Sequence, residues 1–409
     1  MSTDKEKKMK VLKVGMVSMV LTLLIMGYMH FYWNDSPTYG HGVKLVKWLV
    51  DSKERKIDHE PLEDVVLINV SYDKTVVPYF TSDYDSLGVV DVTDRKKLNS
   101  FLNMLKKRNA YRYIVCDINF SDPLLVSEYD EELFATIASM KNIVVASSDM
   151  DMDPEVIKDK VALSIYKEES VGSGFLRYDF MKDGKPSIAL KMWMDLFDGT
   201  YEEFWWGARM NGKPCLQTVM PDFRYVVYDE VHPKDSSLVI QQMGKTLEYY
   251  NVDSTYVRGF DDKVVLIGAW TRDDVHNTIL GRQPGVLIVY NAFLSLCNRD
   301  NHVPVWAFLL VLIVVWLEIM FIFRKSYDLT FCSVGTKVMR FIEKKREVRR
   351  PKVLKIIGEI LLSFIEYVTP LAILMVFVYW TCGIFLNILI IAVFLGGIDF
   401  LYEKLNFAK

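Results

Sequence analysis

The sequence predicts an α/β extracytoplasmic domain, with a mostly parallel sheet and helices on both faces, joined to four transmembrane α-helices. Apolar strands with few interruptions alternate with amphipathic helices in the first half of the chain, which is typical of a parallel sheet buried on both faces. Four apolar stretches are long enough to cross a bilayer. Hydrophobic residues make up 51% of the chain and charged residues 25%, a mixture that favours a water-soluble domain plus several spans.

The sequence of residues 1–33 predicts a membrane anchor. Residues 1–13 contain five lysines and form a predicted cytoplasmic segment. Residues 14–33 have the length of one span and end in the aromatic run HFYW, as membrane interfaces favour. A cleaved signal peptide is the competing interpretation, but the apolar part is too long and no small-x-small site follows. By the positive-inside rule, residues 34–303 lie outside the cytoplasm.

The outer domain, residues 34–303, contains the alternating elements. The predicted strands are 64–70, 113–118 and 143–146, and the predicted helices are 94–107, capped by Thr93 or Asp94, and 130–140. The middle of the domain is less regular, with a predicted helix at 187–197 and predicted strands at 225–229 and 237–241. A last strand, VVLIGA, precedes a polar loop and an apolar helix or strand–helix unit that begins at Pro284.

Three further apolar stretches follow the outer domain. Residues 305–323 begin directly after Pro304, so the last strand of the domain and the unit that follows it are joined to a span with almost no linker, which favours relay of a state over free enzymology. Residues 324–355 contain eleven Lys or Arg against three acids and are predicted to be a basic cytoplasmic loop. Residues 356–380 and 384–402 are the last two predicted spans, and residues 403–409 form a cytoplasmic tail.

Acidic residues and one histidine follow several predicted strands. In an open α/β sheet, ligands bind in the crevice outside the carboxyl ends of the strands. The ligand-binding candidates are Asp73, Asp117, Asp274 and His276, with Asp273 as a neighbour of the last two. Such a set suits a polar ligand, a cation or an acid–base pair; the alternative is that each side chain caps a helix or satisfies a loop.

Other chemistry is not indicated by the sequence. The chain has none of the GxSxG, HExxH or P-loop spacings, so no catalytic residue is predicted, and an extracytoplasmic hydrolase is the least favoured class. The five cysteines show no CxxC or CxxH spacing, so no metal and no cofactor is predicted. Cys116 is expected to be a buried thiol, whereas a Cys215–Cys297 pair stays open. The net charge of −3 gives no indication of nucleic-acid binding.

Acids within or near the spans are a second group of candidates, because an ionisable residue inside a membrane is commonly functional. They are Glu318, Glu359, Glu366 and Asp399. The alternative is that they pair at the interface with Arg324, Lys325 or Lys404. Glu366, one turn before Pro370, is expected to face another helix or a partner protein.

The motifs along the chain carry a family resemblance. They are VVLINVSYDKT, DRKKLNSFL, YIVCDINFSDP, YDEELFATI, DGKPSIAL, KVVLIGAWTRDDVHNT and PGVLIVYNAF, in this order. Together with the anchor and the three trailing helices they resemble the CHASE domain of type two, the cyclase/histidine-kinase-associated sensory extracellular domain of bacterial receptors. Ser71 stands where the first strand of such domains usually ends in an aspartate, and Asp73 follows two residues later.

The resemblance implies a bacterial inner-membrane sensor with both termini in the cytoplasm. Its outer domain is expected to detect a ligand or an envelope state and to relay it to a membrane or cytoplasmic protein partner, because no output module follows the trailing helices. Membrane lipid and a homo-oligomer are further expected partners, and nucleic acid is not. The alternative is a structural or regulatory subunit of a membrane complex, whose outer domain docks proteins.

Overall fold

The computed structural model describes residues 4–32, 65–80, 86–164, 167–168, 175–205, 207–219, 239–270, 274–278, 281–325, 352–382, 386 and 388–407. The chain forms two compact units, one of residues 55–302 and one of residues 1–54 together with 303–409. The predicted strand at 225–229 lies outside the described residues.

The described helices, numbered in chain order, are α1 Asp4–Tyr32, α2 Arg95–Arg108, α3 Asp130–Ser139, α4 Ile188–Phe197, α5 Met243–Val252, α6 Gly285–Cys297, α7 Val305–Lys325, α8 Lys352–Cys382 and α9 Ile388–Phe407. Asp94 caps α2 by accepting a hydrogen bond from the Lys97 backbone N–H, and Ser187 caps α4 in the same way through Leu190. Both helices begin within a residue of the predicted start, because a polar residue in extended conformation satisfies a backbone donor of the first turn.

A six-stranded parallel sheet is the centre of the residue 55–302 unit. Across the sheet its strands are β15 Val239–Gln242, β1 Val65–Asn69, β16 Val264–Gly268, β4 Tyr113–Cys116, β5 Ile143–Ser147 and β6 Val161–Leu163. All five neighbouring pairs are parallel. Every residue of β1, β4, β5, β6 and β16 is buried, so the prediction of a parallel sheet with two covered faces is confirmed.

The two faces of the sheet pack against different helices, because successive side chains of a strand point to opposite sides. Leu67, Val115 and Val144 belong to a core that includes residues of α4 and α6. Ile68, Ile114 and Val145 belong to a second core that includes residues of α2, α3 and α5. All thirteen residues of α6 are buried, as expected for a helix that is largely apolar on every side.

The rest of this unit contains short strands that periodicity did not predict. They are β2 Lys74–Phe80 with β3 Ser86–Thr93; β9 Met181–Lys182 with β10 Lys185–Pro186; β11 Tyr201–Phe204, β12 Gly207–Met210 and β13 Lys213–Cys215; and β7 Lys167–Glu168, β8 Phe175–Asp179, β14 Thr218–Val219, β17 Val275–Thr278 and β18 Gly281–Pro284. Most have two to four residues, too few for alternation to be recognised. The predicted polar loop after β16 is therefore partly a strand, β17.

The second unit contains α1, α7, α8 and α9. The Trp316 indole on α7 donates a hydrogen bond of 3.2 Å to the Gly15 carbonyl of α1. Phe323 of α7 meets Tyr402 of α9 edge to face, with ring centroids 4.7 Å apart.

One described helical segment, Val305–Phe323, is long and apolar enough to cross a membrane. Helices are present at the other three predicted spans, but the apolar parts within their described residues are shorter, namely Leu12–Tyr28, Tyr367–Cys382 and Ile388–Tyr402. The second helix of the trailing pair begins at Ile388 rather than at residue 384.

Candidate functional site

The loops that follow β1, β16 and β4 meet at the carboxyl edge of the central sheet. The Ser71 hydroxyl, after β1, accepts a hydrogen bond of 2.9 Å from the backbone N–H of Trp270, after β16. The backbone N–H of Asp117, after β4, donates a hydrogen bond of 2.8 Å to the Ile267 carbonyl. Ser71 thus ties two of these loops together.

Asp117 lies at this edge on the face that α6 covers. A Cβ added to Gly268 would lie 3.6 Å from the Asp117 Cβ and 3.0 Å from the Val286 side chain of α6. The Asp117 Oδ2 atom is buried, and no described residue donates a hydrogen bond to it. A buried carboxylate oxygen without a donor is costly.

Of the other candidates, Asp274 lies near Asp117, and His276 contacts Asp274. The Asp274 carboxyl group is close enough to the Asp117 carboxyl group to influence its ionisation. The His276 Nε2 atom is 3.1 Å from the Asp274 Oδ1 atom. Burial, and then the neighbouring Asp274 carboxylate, raise the pKa of Asp117 well above its usual range. We call Asp117, Asp274 and His276 the edge cluster.

Tyr178 is a neighbour of the edge cluster that sequence reasoning missed. It is completely buried on β8, and its hydroxyl accepts a long hydrogen bond of 3.4 Å from the backbone N–H of Ala189. Burial is the main reason that its pKa is raised, and the Asp117 carboxylate contributes. Because β8 lies in the irregular middle of the domain, no local pattern linked this tyrosine to the strand ends.

Asp73 has other contacts. Its carboxylate accepts a hydrogen bond of 2.9 Å from the Lys97 Nζ atom and one of 2.9 Å from the backbone N–H of Gly244. Gly244 is in the first turn of α5, whose N-cap residue Gln242 makes no side-chain cap. These contacts correspond to the helix-capping alternative for Asp73 and not to a place beside Asp117.

The acids of the predicted spans are described only in part. Asp399 on α9 is buried and accepts a hydrogen bond of 2.6 Å from the hydroxyl of Tyr367 on α8. Its observed partner is therefore uncharged. Glu318 is partly buried on α7. The side chains of Glu359 and Glu366, and those of Arg324, Lys325 and Lys404, lie outside the described residues, as does Asp273.

Metal ligands and thiols are the other chemical groups of interest among the described residues. Among them, no group of three or more His, Cys, Asp or Glu side chains is arranged to hold a metal ion. Cys116, Cys215, Cys297 and Cys382 are free thiols, so Cys215 and Cys297 are not bonded to each other. Cys116 is buried, and burial raises its pKa to about 12, which makes it an inert thiol.

Comparison with known proteins gives one positive result. A model of the CHASE2 domain family matches residues 61–323, from just before β1 to the end of the apolar part of α7. No curated protein and no solved structure matched the chain. CHASE2 is an extracellular sensory domain, and since the match covers well over half of the 409 residues, the chain belongs to the CHASE2 domain family.

Proposed function

We propose that this protein is a multi-pass inner-membrane sensor whose outer domain detects a ligand or an envelope state at the edge cluster. The chain would relay that state through α7 to a separate protein that carries the output. The observation that carries the proposal is the edge cluster itself. A partly buried carboxyl group whose Oδ2 atom has no partner among the described residues, a second carboxyl group and a histidine lie at the carboxyl edge of a parallel sheet, in a domain of a sensory family.

The path of the chain supports a relay. Asp274 and His276 lie at the start of the β17–β18 hairpin, and β18 ends at Pro284, the N-cap residue of α6. Helix α6 ends at Cys297, and α7 begins at Val305. A displacement of the hairpin therefore acts directly on the start of the buried helix that precedes the span.

The distribution of polarity in the second unit supports four spans. Ser18, Thr22 and Asp399 are buried in it, whereas large apolar side chains such as Leu24, Ile373 and Val393 are about two-thirds exposed. A helical unit in water has the opposite arrangement. Together with the lysine-rich N-terminus and the basic segment 324–355, this favours a membrane bundle with both termini in the cytoplasm.

A second candidate function is that of a regulatory subunit with a docking domain. One face of the β2–β3 hairpin favours it: Val76, Pro78 and Val89 lie on the same side, since Val76 pairs with Asp91 and Pro78 with Val89. Val76 is 58% exposed and Val89 is 70% exposed. Asp91 shares this face, so it is a mixed surface with exposed apolar side chains, which suits contact with another protein.

Purification of the full chain from native membranes in mild detergent tests both functions. The variants are Asp274→Ala and His276→Ala at the edge cluster, and Val89→Thr on the hairpin as the matched contrast. The sensor proposal expects a partner with an output domain whose recovery changes several-fold in the two edge-cluster variants and stays unchanged in Val89→Thr. The reverse pattern, with recovery lost only in Val89→Thr, would establish the docking subunit instead.

A further inference from the structure

We propose that the β11–β12 hairpin is a membrane-contact element, in which the Trp205 side chain lies in the headgroup region of the outer leaflet of a phospholipid bilayer. This inference goes beyond the detection of a ligand. It rests on the proposed membrane topology, because α7 has to be a span for the hairpin to lie near lipid. Its grounds are the exposure of Trp205, the fixed position of the turn that carries it, and the attachment of that turn to the chain that enters α7.

The first ground is the exposure of an indole at a turn. Trp205 follows Phe204, the last residue of β11, and Gly207 is the first residue of β12. Trp205 is 81% exposed, whereas tryptophan is highly buried on average in proteins that fold in water. Tryptophan is enriched where a membrane meets water, because its ring is apolar and its N–H group is polar. The exposed indole therefore suits the surface of a bilayer.

The second ground is that side-chain contacts hold the turn in place. The Gln217 side-chain amide donates a hydrogen bond of 3.1 Å to the Phe204 carbonyl and one of 3.4 Å to the Gly207 carbonyl. The Arg209 guanidinium group lies over the Phe204 ring, 5.2 Å from its centroid. Because the turn is already ordered, placing Trp205 against a surface costs less conformational entropy than ordering a mobile loop.

The third ground is the attachment of this turn to the chain that leads into α7. The Pro214 carbonyl oxygen is 2.9 Å from the His302 Nδ1 atom. The Leu216 backbone N–H donates a hydrogen bond of 2.8 Å to the Asn301 carbonyl. Gln217, whose side chain holds the turn, is the next residue. One short stretch of chain thus contacts both the turn and the residues that precede α7.

In the proposed topology, these contacts bring the turn close to the outer surface of the membrane. His302 comes three residues before Val305, where α7 begins, and three residues span at most about 11 Å. The apolar part of α7 also begins at Val305, so His302 lies close to the outer boundary of the bilayer core. Trp306, in the first turn of α7, is exposed, as expected for an indole at the same interface. The bilayer surface is therefore the partner that the Trp205 turn meets.

The charges beside the turn favour a contact through the indole over electrostatic attraction. The three strands β11–β13 contain two acids, Glu202 and Glu203, and two bases, Arg209 and Lys213. The strands therefore carry no net charge, and Glu202 lies opposite Arg209. An anionic lipid surface attracts basic clusters, which this hairpin lacks. The contact is therefore expected to persist when added salt screens charges.

Fluorescence of the full chain in phospholipid nanodiscs tests the contact. In a cysteine-free background, Trp205→Cys and Val252→Cys are each labelled with the environment-sensitive fluorophore NBD. Val252 is the matched control, because it is 89% exposed and lies on α5, which packs on the opposite face of the central sheet from β12 and β13. Nitroxide-labelled lipid headgroups are expected to quench the label at position 205 several-fold more than the label at position 252. Equal quenching at the two positions would overturn the proposal.

A second readout keeps the native indole. Lipids brominated near the headgroup quench tryptophan fluorescence at close range, and the difference between the wild type and Trp205→Phe gives the contribution of Trp205. That contribution is expected to be quenched by the brominated lipid at low and at raised ionic strength. Absence of quenching, or its loss when salt is added, would exclude a contact made by the indole.

Three outcomes separate this inference from its neighbours. If alkaline carbonate extracted the full chain from membranes, the proposed spans would be wrong, and this contact with them. If the chain stayed integrated while the label at position 205 behaved like the control, the membrane contact alone would be wrong. A label at position 205 that is shielded in native membranes but unquenched in nanodiscs of lipid alone would show that a protein covers the turn, which would also refute the proposal.

Discussion

At the scale of single residues, Gly268 shows how closely the sheet edge and α6 approach each other. A Cβ at this position would lie 3.0 Å from both the Cβ and the Cγ1 of Val286 and 3.6 Å from the Cβ of Asp117. Since Val286 is itself completely buried, it has no free space to move into. The glycine is therefore required by packing at the end of β16, beside the edge cluster.

Gly268→Ala is expected to lower the free energy of unfolding by about 1–3 kcal/mol, the usual cost of overpacking a core. Thermal unfolding of the full chain measures it. Gly259→Ala is the matched control, because nothing lies within 4 Å of its added Cβ. Equal stability of the two variants would mean that the contact between Gly268 and Val286 relaxes without cost.

Asp73 is a capping residue far in sequence from the helix that it caps. It is 6% exposed and binds both Lys97 and the backbone of Gly244. Asp73→Ala is expected to cost about 1–2 kcal/mol, the range of a lost N-cap. Lys97→Ala should cost less, since the Lys97 side chain is 46% exposed and exposed ion pairs contribute little. Chemical denaturation of both variants gives the comparison, and a larger loss for Lys97→Ala would contradict this assignment.

At the scale of elements, a buried hydrogen bond joins α8 to α9. Tyr367 is completely buried and Asp399 is 7% exposed, and the tyrosine hydroxyl donates to the carboxylate over 2.6 Å. A hydrogen bond to a charged acceptor is stronger than one between neutral groups. The pair therefore fixes the two helices relative to each other.

Tyr367→Phe is expected to destabilise the helical unit by about 1–3 kcal/mol, because it removes the donor and leaves the Asp399 carboxylate buried. Asp399→Asn should cost less, since the amide keeps an acceptor oxygen for the tyrosine hydroxyl. Melting temperatures in detergent rank the two variants. If Asp399→Asn proved the more damaging, the negative charge of Asp399 rather than the hydrogen bond would be the important feature.

At the scale of the whole molecule, the proposed topology assigns a side of the membrane to each segment. It puts Glu202, an exposed residue of β11, outside the cytoplasm and Lys345, in the basic segment, inside. In a cysteine-free background, Glu202→Cys is expected to react with a membrane-impermeant maleimide in intact spheroplasts. Lys345→Cys should react only after permeabilisation. Labelling of both from the same side would exclude an odd number of spans between them.

The sequence by itself determined the main elements of the outer domain. The strands β1, β4, β5 and β16, the helices α2, α3, α4 and α6, and the α7 span were predicted because burial imposes a local period that can be read from neighbouring residues. Short strands such as β8 and β17 were not predicted, because too few of their residues show the alternation of a strand. The acids at the strand ends were recognised as ligand-binding candidates, because the carboxyl ends of parallel strands lie at one edge of the sheet.

Only the tertiary structure decided which of those acids meet. Strand β16 comes late in the chain yet lies between β1 and β4, and the β17 hairpin that follows it brings Asp274 to Asp117. Asp73 follows β1, and its carboxylate caps α5 instead. Strand order depends on packing between segments far apart in sequence, and no local pattern encodes it.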